Sequence, residues 1–275
     1  MLKKSESSGF AKANQTVKEE QTMLEGKIAL VCGAGPDIGR TNALALARSG
    51  ADVAVNVHRN RDVIEQTADE IRRIGRRSVA VMADIGDPQQ VGEMFRQIEG
   101  ELGTVDILIN NAILRFDSPF LEVPIAGWET VLRTNLTGPM LCSQAVLPGM
   151  IKNGWGRIIN FSGISGYKGN AFRVPIATVK MGIVGFTRSL ASEMGPHGIT
   201  VNAVSPAGIE TSRYRSKGAG TYNEDNYIRS QEAQTPLRSL GKPDHIASTC
   251  LFLCSEGAGY ITGQTISVNG GKYMN

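Results

Sequence analysis

The chain predicts an α/β fold, a doubly wound parallel sheet in a single domain, on three observations. Seven apolar runs of strand length alternate with stretches of helical length and period, the strands are apolar on both faces, and the first strand opens directly into a glycine cluster. Parallel neighbours need a crossover helix between them, and helices on both faces leave the strands no polar side.

In chain order, strands are expected at Ile28–Cys32, Val53–Val57, Ser78–Met82, Val105–Ile109, Arg157–Phe161, Ile199–Val204 and Thr265–Val268. Helical periodicity falls at Asn42–Ser49, Val63–Ile74, Val91–Leu102, Trp128–Ile151, Ile176–Met194 and His245–Cys254. With 275 residues, 41% hydrophobic and 20% charged, one core is the natural reading, and no second core or repeat shows. Residues 1–23 read as a flexible polar tail and 24–275 as the domain, with a substrate lid at about 208–234 that carries Tyr214, Tyr222 and Tyr227.

A net charge of +3 with scattered basic residues gives no footprint for nucleic acid, so a small-molecule partner is expected. Cys32, Cys142, Cys250 and Cys254 form no Cys-x-x-Cys pair and only three histidines are present, which speaks against a metal cage or a disulfide framework. No apolar run reaches the length of a membrane span and no secretory signal is visible, so no membrane and a cytoplasmic location are expected.

The first strand runs into Gly33-Ala-Gly35-Pro-Asp37-Ile38-Gly39 and a helix begins at once. That context suits a Rossmann-like dinucleotide site, where the backbone turns tightly, approaches a pyrophosphate and offers amides at a helix N-terminus. An acid at the end of the second strand would bind the ribose hydroxyls of NAD. The segment instead reads Asn56-Val57-His58-Arg59-Asn60-Arg61, so NADP (as NADPH) is favoured over NAD, with His58, Arg59 or Arg40 as phosphate partners.

With these residues in view, the chain resembles the classical short-chain dehydrogenase/reductase family from about Leu24 to Gly271. The matching pieces are the glycine segment, Asp84 with Ile85, Asn110-Asn111-Ala112, Asn135, Lys180, Pro206 with Thr211, and the closing Gly263-Gln264 and Asn269-Gly270-Gly271. The resemblance implies that Asp84, Ile85, Asn111 and Ala112 hold the adenine side of the cofactor. It implies equally that Ile209 and Thr211 meet the nicotinamide carboxamide, that Lys180 binds its ribose, that Asn135 anchors a water leading to Lys180, and that the protein is a homodimer or homotetramer.

Several positions depart from the family pattern. Cys32 and Asp37 stand where it has Thr and Gly, and Asp37 suits a pyrophosphate site only if it points away or caps the helix. Ile113 and Ala207 also replace glycines. The family's acid, Tyr in Tyr-x-x-x-Lys, is replaced by Ile176 ahead of Lys180, and its Ser, thirteen residues earlier, by Gly163. Tyr167 is the nearby phenol and the candidate substitute acid; Arg173, seven residues before Lys180, suits an oxyanion but not proton donation.

Loss of a general acid costs about 10² to 10⁴ in rate, a penalty lighter for an acceptor on which little oxyanion develops. The expected activity is therefore NADP-dependent hydride transfer at a remodelled site, to an imine, activated alkene or carbonyl. The alternatives are a non-redox isomerase or cyclase on the same scaffold, and a catalytically silent subunit.

Overall fold

The computed structural model describes residues 23–212 and 224–274, side chains of 224–227 excepted. The predicted tail through residue 22, Tyr214, Tyr222 and the side chain of Tyr227 lie outside the described residues.

Each strand is a short β-rich run that ends in a turn or loop. They are β1 (Ile28–Cys32), β2 (Asp52–Val57), β3 (Ser78–Met82), β4 (Ile107–Asn110), β5 (Gly156–Phe161), β6 (Ile199–Pro206) and β7 (Thr265–Val268). They form one sheet in the order β3-β2-β1-β4-β5-β6-β7, every adjacent pair parallel. Chain direction across the sheet reverses between β1 and β4, which opens a crevice at their carboxyl ends.

Period-two alternation sends Ala29 and Val31 of β1 to one face and Leu30 and Cys32 to the other. The first face packs under α1 (Ile38–Arg48), α2 (Arg61–Arg73) and α9 (Pro243–Cys254), through Leu44, Ile64, Ile71, Ile246 and Leu253. The second packs under α3 (Pro88–Glu101) and α5 (Gly138–Asn153), through Met94, Ile98, Cys142, Val146 and Met150. All four cysteines are free and buried in these layers.

The helix expected over Trp128–Ile151 is interrupted. It comprises α4 (Ile125–Leu132), a π-helical turn over Arg133–Thr137, and α5. Pro139 has no N–H to return to the carbonyl of Asn135, so the α-ladder loses a rung there and the turn widens. Two helices fall where the periodicity suggested none: α6 (Ile164–Lys168) ahead of the long α7 (Val174–Met194), and α8 (Glu224–Ala233) in the second half of the segment read as a lid.

Candidate active site

The β1–α1 turn is shaped by glycines. Gly33 has φ +76°, and a Cβ on it would lie 2.5 Å from Ala112 Cα; one on Gly39 would lie 2.1 Å from the Gly33 carbonyl oxygen. Gly35 faces open space. Asn111 Nδ2 donates to the Gly33 carbonyl at 2.7 Å, tying the end of β4 to the cradle. A backbone open at Gly35, at the N-terminus of a three-turn helix, fits the diphosphate of a dinucleotide.

Asp37 is the exception within that cradle. Its φ of 69° lies in the left-handed region that favours glycine, and it makes no side-chain cap to α1. Instead its two carboxylate oxygens accept from Ser212 N at 3.0 Å each, and one accepts from Ser212 Oγ at 2.7 Å. The helix-capping alternative is thereby corrected: the side chain points away from α1, to the segment that follows β6.

The end of β2 carries no acid because Asn56 is drawn inward, its Nδ2 donating to Val81 and Ala83 carbonyls at 3.1 Å. Arg40 is engaged by Glu70 in an ion pair. His58 and Arg59, just past the end of β2, are exposed. Asp84 is buried and accepts from Gly86 N at 3.0 Å, while Ile85 packs in the core.

At the carboxyl ends of β4, β5 and β6 lies a cavity of about 520 Å³. Ile38, Asn111, Pro206, Ile209 and Thr211 are among its lining residues, as are Gly163, Ile176 and Lys180. Ile176 and Lys180 stand one turn apart on α7, where i and i+4 share a face. Ile176 is buried against Val131 and Val179. The nearest atoms to a Cβ on Gly163 would be Lys180 methylenes, at 3.9 Å, so this position faces Lys180 with room to spare.

Lys180 Nζ donates to the Phe161 carbonyl at 2.6 Å. Burial, with the charge of Arg115 adding to it, pushes its ammonium down to about 7. Asn135 lies behind the cavity rather than in its wall: from the π-turn it accepts from Leu114 N at 3.1 Å and donates to the Leu114 and Val131 carbonyls at 2.8 Å. It therefore fixes the backbone that carries Arg115.

Tyr167 is not brought to the cavity wall. Its ring stacks on Tyr273 with centroids 5.3 Å apart, and its hydroxyl is buried without a partner. Arg173 does line the cavity, 3.2 Å from Asp117. Sequence reading missed Arg115, Asp117, Lys168 and Lys272, which also line it. Arg115, Asp117 and Lys272 sit on irregular segments past strand ends and Lys168 closes the five-residue helix α6, where no periodicity marks them.

Over residues 33–272 the chain matches the family described as Enoyl-(Acyl carrier protein) reductase. The chain is a short-chain dehydrogenase/reductase. It is 39% identical over 253 residues to the 3-oxoacyl-(acyl-carrier-protein) reductase FabG of Aquifex aeolicus, covering 91% of this chain and 98% of that one. A crystal structure from Sinorhizobium meliloti, provisionally described as a short-chain alcohol dehydrogenase, superimposes with a TM-score of 0.84 at 36% identity, covering 92% and 98% of the two chains. One from Agrobacterium tumefaciens, provisionally described as a gluconate dehydrogenase, gives 0.85 at 31% identity with the same coverage. The family is one of oxidoreductases, and seven parallel strands in this order are what the expected fold class required.

Proposed function

We propose that this short-chain dehydrogenase/reductase is an NADPH-dependent reductase whose site lacks the phenol that normally delivers the proton. The observation that carries the reading is Lys180. A side chain costly to bury is held in the cavity floor by the Phe161 carbonyl, beside the places vacated at Ile176 and Gly163. A pure scaffold gains nothing from that burial.

Reduced nicotinamide, when bound, supplies hydride to one face of the substrate. The residues here hold and shield the reactants: Gly33, Gly35 and Gly39 offer the cradle, Ile209 and Thr211 close the far side, and Ile176 replaces a polar donor with an apolar wall. With its ammonium near neutrality, Lys180 matches the proton affinity that general acid work at pH 7 demands. It takes the place of Tyr167, which faces Tyr273. An imine or an activated alkene suits such a site better than a plain ketone, because less negative charge builds on the acceptor atom. One curated relative, 39% identical to this chain, is a reductase of a 3-oxoacyl group, as its name states.

Asp37 favours a second reading, a subunit that binds cofactor poorly, because it puts an acidic residue, its carboxylate drawn to Ser212, into the glycine turn that would cradle the diphosphate. Calorimetry with NADPH and NADH separates the two. NADPH is expected to bind at least about tenfold tighter, the scale of one charge-assisted contact to the extra phosphate. Equal affinity or a preference for NADH contradicts the reading of His58 and Arg59. No binding by wild type, with binding restored in Asp37→Gly, supports the second reading.

A further inference from the structure

Among the described residues the cavity wall is electrically one-sided: Arg115, Lys168, Arg173, Lys180 and Lys272 line it against a single acid, Asp117, which faces Arg173 at 3.2 Å. Two of the lysines are held by neutral acceptors: Lys180 by the Phe161 carbonyl, Lys272 by Gln231 Oε1 at 2.5 Å. No other carboxylate is among the described residues that line it.

We propose that this cavity takes a substrate with an anionic head, a carboxylate or phosphate, held by Lys168 and Lys272 while its reducible group lies toward Lys180. The proposal rests on the cavity being the substrate site of the reductase described above.

Placement supports the assignment. Lys168 ends α6 and Lys272 follows the Gly270-Gly271 turn, so both belong to segments after β5 and β7 rather than to the β1–α1 glycine cradle where the cofactor's diphosphate fits. Repulsion within the wall points the same way. Lys272 is pushed down first by burial and then by Lys168, as Lys180 is first by burial and then by Arg115. An anion between such groups relieves both costs, and its selectivity comes from charge rather than shape.

The test uses two matched pairs of carbonyl compounds, 4-oxopentanoate with its methyl ester and dihydroxyacetone phosphate with dihydroxyacetone. Each is titrated calorimetrically into the protein alone and into protein saturated with NADPH. The anion of at least one pair is expected to bind about tenfold or more tighter than its neutral partner, a difference of about 1.4 kcal/mol, and to do so in both states. The pair that discriminates identifies the head group. Lys168→Gln with Lys272→Gln should remove the preference and leave the neutral compounds unchanged; Lys168→Gln alone, at an exposed position, should weaken it in the same direction.

Because binding is read without turnover, a preference seen on protein that neither binds nor oxidises NADPH would support the anion site while refuting the reductase reading. Anion binding abolished by NADPH would assign the cations to the cofactor's own phosphates and overturn the proposal. So would equal binding within both pairs, or no binding of either anion at millimolar concentration.

Discussion

Lys180 shows what a single buried residue implies for the free protein. Its ammonium is lowered from near 10.5 to about 7 in the fold. Between those values the unfolded chain holds a proton the folded chain lacks, so stability rises as pH rises through that window. Thiols oppose this at higher pH. Cys250 is pushed up by burial, and Cys32 first by its contact with Cys142 and then by burial, so above their ordinary value of 9.0 the unfolded chain ionises first and stability falls. The cofactor-free protein is therefore expected to gain stability from about pH 7 to 9 by urea unfolding, by a few kcal/mol at most. Lys180→Met should flatten that rise. A variant with the wild-type pH profile would show that the ammonium is not desolvated.

Elements differ in how much of them the sequence reveals. Strands β1, β3 and β7 match their expected bounds residue for residue, because each is a short β-rich run bounded by polar or glycine-containing turns. The break between α4 and α5 was hidden, since the apolar period continues through Trp128–Ile151 while the disturbance comes from the backbone of one residue, Pro139. Asn135 was legible as a position, but its partners, the Leu114 backbone and the Val131 carbonyl, exist only once the turn widens. Likewise Asp37 was legible as out of place in a glycine segment. Its bond to Ser212, 175 residues away, was not, because nothing local in either segment points to the other.

At the scale of the molecule, most apolar positions of the long helices are spent within the chain: Val131, Val146, Ile183 and Val184 are buried in its own core. What remains outside on α5 and α7 includes Ile151 and Met181, 39% and 42% exposed, with Leu141 and Phe186 half-buried nearby. We expect these two helices to pair with a second copy, giving a dimer or tetramer by light scattering at micromolar concentration. A monomer there would contradict that expectation. Among the described residues, no helix is long and apolar enough to cross a membrane.

The site as a whole was half legible: Lys180, Ile176 and Gly163 follow from spacing on one helix and one strand end, whereas the cationic wall comes from four separate segments that only the sheet brings together. The central claim is that a working reductase site stands here without its usual acid. The most direct measurement is the rate of NADPH oxidation with a simple activated ketone, wild type against Ile176→Tyr with Gly163→Ser. A Cβ at 163 meets Lys180 only at ordinary contact distance, and the double variant should gain about 10² to 10⁴ in rate over a nearly inactive wild type. Wild type that already reduces the ketone as fast as the double variant would contradict the account.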